Sequence, residues 1–182
     1  MLTIDKSQTW EELERRFARV VDGLGEHIDA RIMDAVIALN ANDVYTVASC
    51  EGHLDHGCPY PWIDVSLEEA ESTARKIAVL LHDGKREAMG TQLLMQIHRS
   101  LLLQAEYELV GLLDAFYQCH PFNYDHHLSI WRFGNGKPRL QSHGAEYQQF
   151  REEAEKAEKL AEYQREMQCF ASFLRERFFA GA

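Results

Sequence analysis

The chain has 182 residues, of which 46% are hydrophobic and 26% charged, with a formal net charge of −10. That length and balance fit one domain with enough apolar chain for a real core, and they exclude a disordered chain. The acidic balance repels phosphate backbones, and the longest basic runs, Arg15-Arg16 and Lys85-Arg86, are too short to offset it, which argues against a nucleic-acid partner.

Met1-Leu2-Thr3-Ile4-Asp5-Lys6 holds no apolar core of an export leader, which predicts a cytoplasmic protein. Thr9-Trp10-Glu11-Glu12 reads as a capping box opening a helix, with Leu13, Phe17, Val20, Val21 and Leu24 recurring at helical spacing. Asp29 is placed to cap a second helix, in which Ile32, Met33, Val36, Ile37 and Leu39 form one apolar stripe. Residues 44–49 are rich in β-formers and predict a first strand. Residues 62–67 alternate, with Ile63, Val65 and Leu67 on one side, and predict a second strand pairing antiparallel with the first. Ser66-Leu67-Glu68-Glu69 is a further capping box, opening a helix that Asp83-Gly84 ends.

A long, broadly apolar helix follows, from about Arg86 to Gln118. Its Leu101-Leu102-Leu103 run gives way to Gln104 and Glu106, so no membrane span is expected. His127 to Phe133 reads as a third strand, Gly134-Asn135-Gly136 as a hairpin turn, and Arg139 to Ser142 as a fourth strand, with Pro138 at its start suggesting a sheet edge. Residues from about 145 to 179 read as one long C-terminal helix, charged in its first half and aromatic in its second (Phe170, Phe173, Phe178, Phe179). The aromatic half must pack on this domain or on a second copy, which makes a homo-oligomer through this helix an expectation. Residues 1–182 are therefore expected to form a single α+β domain: a mainly antiparallel sheet of about four strands packed against long helices.

Chemistry concentrates in the loop after the first strand. Ser49-Cys50-Glu51-Gly52-His53 is followed by His56 and Cys58, giving Cys-x-x-His-x-x-His-x-Cys. Thiolate and imidazole are zinc ligands, so Cys50, His53, His56 and Cys58 are a candidate metal set. Nine residues are a tight span for four ligands, and His120, His126 or His127 could lend another. The four cysteines (Cys50, Cys58, Cys119, Cys169) are expected as thiols or ligands rather than disulfides. The bland alternative makes Cys50 a small buried hydrophobe and the histidines surface residues. A third reading is a small-molecule site. Here Cys50, Glu51 and His53 act as nucleophile, acid and base, the Gly52 backbone and Ser49 approach the ligand, and Arg132 or Arg139 holds an anion or pairs with Glu51 or Asp64.

Helix-terminal Leu39-Asn40, the strand Tyr45-Thr46-Val47, Ser49 to His53, Gly57-Cys58-Pro59-Tyr60-Pro61-Trp62 and the strand through Val65 together resemble a family of uncharacterised bacterial and phage proteins. The likeness covers roughly the first half of the chain and implies no activity. More distantly, the motif is similar to the Ser-Cys-Ser-Gly-Arg of the wybutosine-synthesising tRNA methyltransferases, which would imply S-adenosylmethionine-dependent RNA methylation. Here Glu51 replaces the second Ser and His53 the Arg.

Overall fold

The computed structural model describes residues 5–134 and 136–181. The leader reading on Met1 to Ile4, and Asn135 of the hairpin turn, lie outside the described residues. The elements run α1 (Lys6–Phe17), α2 (Ala30–Ala41), β1 (Tyr45–Cys50), β2 (Trp62–Ser66), α3 (Glu68–His82), α4 (Met89–Tyr117), β3 (Leu128–Phe133), β4 (Lys137–Ser142), a 3-10 helix (His143–Phe150) and α5 (Glu153–Ala180). The four strands form one antiparallel sheet in the order β1-β2-β4-β3, so the fold is α+β, as the sequence predicts.

Strand alternation sorts the side chains. Ile63 pairs with Leu140, and Leu140 with Ile130. With Val65 and Leu128 they make the apolar face of the sheet. Val36 and Leu39 of α2, Leu109 and Phe116 of α4, and Phe170 and Leu174 of α5 are all buried in the same core. Each such side chain contributes about 1.5–3 kcal/mol through removal of apolar surface from water. The opposite face presents Trp62, Asp64, Ser129, Trp131, Arg139 and Gln141. Among the described residues no helix is long and apolar enough to cross a membrane.

Several local expectations are corrected. The first helix begins a turn earlier than Thr9, because Asp5 caps it by accepting from the N–H groups of Ser7 (3.0 Å) and Gln8 (3.3 Å). Ser66 caps nothing: it still belongs to β2, fully buried, and its hydroxyl donates to the Leu67 carbonyl at 3.3 Å. Pro138 does not mark an edge, since β4 lies inside the sheet. Its missing N–H is harmless because the β2–β4 ladder stops at Asp64 and Arg139, one residue short of it.

The helix expected from 145 to 179 is two elements. The 3-10 helix ends at Phe150, Arg151 and Glu152 are extended, and α5 begins at Glu153. Gln148 bridges the break: fully buried, it donates to the carbonyls of Pro59 (3.0 Å) and Lys156 (3.1 Å). The aromatic half of α5 packs within its own chain. Phe170 and Phe173 meet Phe116, with ring centroids 5.3 and 5.5 Å apart, and Phe178 and Phe179 meet Trp10 at 5.9 and 5.6 Å. Lys6 closes the end by donating to the Phe178 carbonyl at 2.5 Å, a cation at a helix C-terminus.

Candidate functional site

β1 runs out at Cys50 directly above the N-terminus of α2, and the two segments exchange hydrogen bonds. The Glu51 N–H donates to Asp29 Oδ2 at 3.0 Å, and Glu51 Oε2 accepts from the Arg31 N–H at 2.9 Å. Asp29 sits at the cap position of α2 without bonding the helix with its side chain. Glu51, from another part of the chain, caps the helix instead, where a carboxylate is favoured by the free N–H groups and the helix dipole. The Asp29 carboxylate is thereby released to face the loop. Gln164 of α5 locks the arrangement, donating to the Glu51 carbonyl and accepting from Arg31 Nη1, both at 2.9 Å.

The chain then reverses at Gly52, which has φ +85° and is buried against the Tyr60 backbone and Leu160. The His53 N–H donates to the Cys58 carbonyl at 3.0 Å and closes the loop. His53 Nε2 comes to 3.4 Å from Asp29 Oδ2. Asp29, Cys50 and His53 each offer a donor atom, all within 4.8 Å of one another, and all three residues are half-buried. The His56 ring stacks on His53 at 4.2 Å and takes a hydrogen bond relation of 2.8 Å with Asp55, so His53, Asp55 and His56 form a second, more exposed group sharing His53. The residues around Cys50 could therefore hold a metal.

Burial, first, raises the pKa of the Cys50 thiol. The Gly52 N–H, 3.3 Å from Sγ, opposes this, while the charge of Asp29 adds to it. A cation between the donors would reverse both the burial and the repulsion.

Of the residues singled out in the sequence, Cys50 and His53 come together with Asp29, and His56 meets His53 in the second group, without Cys50. Cys58 does not join either group; burial, and the nearby Cys58 thiol, push Tyr60 up to about 12. Glu51 is committed to α2 and Gly52 to close packing. Ser49 pairs with Ile63 and faces the opposite side of the sheet from Cys50. Exposed Arg132 on β3 pairs with half-buried Glu106 at 3.0 Å, three strand spacings, roughly 14 Å, from β1. Arg139 is bound to Asp64 by two hydrogen bonds of 2.6 and 3.0 Å. His120 stands against Glu166 at 3.2 Å, and His127 stacks on His143. Asp29 was not legible as a ligand, because its position marks it first as a helix cap.

A further group, Asp125, His126 and Glu162, also lies within 4.8 Å, but a cation from the chain already occupies it. Lys159 Nζ is 2.9 Å from Asp125 Oδ2, 2.7 Å from Glu162 Oε2 and 3.3 Å from His126 Nε2. Burial alone would raise both carboxyls; Lys159 holds both below their usual range. A depressed carboxylate stabilises above its unfolded pKa, and that stability is lost as pH falls through the folded value. Lys159→Met is therefore expected to cost about 1–2 kcal/mol at pH 7 in urea unfolding. The difference from wild type should shrink as pH drops below about 4.

Comparison of the chain with protein-family models, with curated proteins and with solved structures finds no match, so what the site does has to be read from its own residues.

Proposed function

We propose that the protein binds zinc at Asp29, Cys50 and His53, with a fourth position taken by water or by His56. The observation that carries this reading is convergence: two segments distant in sequence deliver thiol, imidazole and carboxylate donors to one half-buried point. Three protein ligands plus one replaceable position is a coordination pattern zinc accepts, and a thiolate among them selects against magnesium and calcium. The outer shell supports it. The Glu51 N–H orients Asp29 and the Gly52 N–H faces the Cys50 sulfur, so each anionic donor already has a fixed partner. A free-thiol enzyme built on Cys50, Glu51 and His53 has less support, because Glu51 caps α2 and burial disfavours the thiolate.

The test is metal analysis and titration of the full chain. About one zinc per chain is expected, lost in Cys50→Ser and weakened about 10-fold or more in Asp29→Asn and His53→Ala. Zinc at a hundredfold excess over its Kd should stabilise the fold by about 2.7 kcal/mol. Zinc-free protein whose Cys50 alkylates rapidly at neutral pH would overturn the zinc reading in favour of the thiol enzyme. Zinc-free protein with an inert Cys50 would overturn both.

A further inference from the structure

The 3-10 helix and the 57–60 segment enclose an open cleft of about 590 Å³, separate from the residues proposed to hold zinc. Three aromatic residues line it: Tyr60 on one wall, Tyr147 and Phe150 on the other. Pro59 and Cys58 complete the first wall. Tyr147 is 55% and Phe150 79% exposed, although Phe150 is flanked by a buried residue two positions earlier that could have drawn the segment inward. Among the described residues that line the cleft, Glu146, exposed and acting on Tyr60 through its charge, is the only one with a carboxylate or an ammonium.

The walls are fixed to each other. The buried Gln148 amide donates across to the Pro59 carbonyl at 3.0 Å and to the Lys156 carbonyl at 3.1 Å. The cleft therefore does not have to be assembled on binding, and less ordering entropy opposes a ligand.

From this lining we infer that the cleft binds an organic cation of the alkylated-ammonium class. Aromatic faces attract a weakly hydrated cation through their quadrupoles, and one carboxylate supplies the counter-charge. An anion is disfavoured by Glu146 and by the net charge of −10. A bare metal ion is disfavoured too: no group of three ligand atoms from His, Cys, Asp or Glu within 4.8 Å includes Glu146 among the described residues.

The test is titration of the full chain with choline and with its uncharged carbon isostere 3,3-dimethylbutan-1-ol, read by NMR shifts of residues 145–150. The two probes match in shape and differ in charge. Choline should bind at least about fivefold more tightly than the isostere. Phe150→Ala, Tyr147→Ala and Glu146→Gln should each weaken choline by about threefold or more. All three side chains are exposed, so the variants should fold. Equal binding of the two probes would make the cleft merely apolar and overturn the inference. So would the absence of choline binding, or choline binding that all three variants leave intact. Zinc binding is read separately, so either proposal can fail alone.

Discussion

Replacing Asp64 by Ala should destabilise the protein by about 3–5 kcal/mol, the cost of leaving a buried charge without its partner. The partner is Arg139, 6% exposed, which bonds Asp64 from Nε at 2.6 Å and from Nη2 at 3.0 Å. Its guanidinium lies between the rings of Trp62 and Phe133, 3.8 and 3.9 Å from their centroids. The register creates this stack. Asp64 pairs with Arg139, Trp62 with the neighbouring Gln141, and Phe133 with Lys137, so one aromatic residue lies diagonally on each side of the arginine. In Asp64→Ala the arginine can neither leave the stack without uncovering Trp62 and more of the already exposed Phe133 ring nor stay without an unpaired charge. At about 2–4 °C per kcal/mol the melting temperature should fall by roughly 6–20 °C. The double variant Asp64→Leu, Arg139→Met should recover most of the loss, because it removes both charges together. Urea unfolding of the single and double variants measures this. A single-variant loss under about 1 kcal/mol would show the pair to be solvated and equivalent to a surface ion pair.

Gly52→Ala should be of similar size, for a different reason. The φ of +85° costs a non-glycine residue about 1–2 kcal/mol. The new methyl would also sit 2.6 Å from the Tyr60 carbonyl carbon and 2.7 Å from Leu160 Cδ1. The Leu160 side chain can move, but the Tyr60 backbone is fixed on the loop that Gln148 holds, and relieving the overlap adds about 1–3 kcal/mol. Gly57→Ala is the internal control. It shares a positive φ of +67° but has nothing within 4 Å of the added carbon, so only the conformational cost of about 1–2 kcal/mol should appear. Because Gly52 joins Cys50 to His53, its variant should also weaken the proposed zinc site, while Gly57→Ala leaves it intact. Equal unfolding midpoints for the two variants would contradict the packing argument.

These residues also show how far the sequence could be read. The β1–loop–β2 unit and the antiparallel sheet follow from alternation and turn chemistry, which are local. The approach of His53 to Cys50 and to His56 was legible because all three lie within one loop. Asp29, Gln164 and the capping role of Glu51 were not, since each depends on α2 and α5 meeting the loop from 20 to more than 100 positions away. The place of β4 inside the sheet was hidden in the same way: Pro138 suggests an edge until the short β2 ladder is seen. The break at Arg151 was masked by good helix formers on both sides, and it is set by the tertiary hydrogen bonds of Gln148.

The most direct test of the proposed metal site is the absorption spectrum of the full chain loaded with cobalt(II). The geometry at Asp29, Cys50 and His53 predicts a single thiolate-to-cobalt charge-transfer band with the d–d intensity of four-coordination, abolished by Cys50→Ser and unchanged by Cys58→Ser. A six-coordinate spectrum without thiolate character, or one that Cys58→Ser abolishes and Cys50→Ser leaves intact, would show that the ion is held elsewhere.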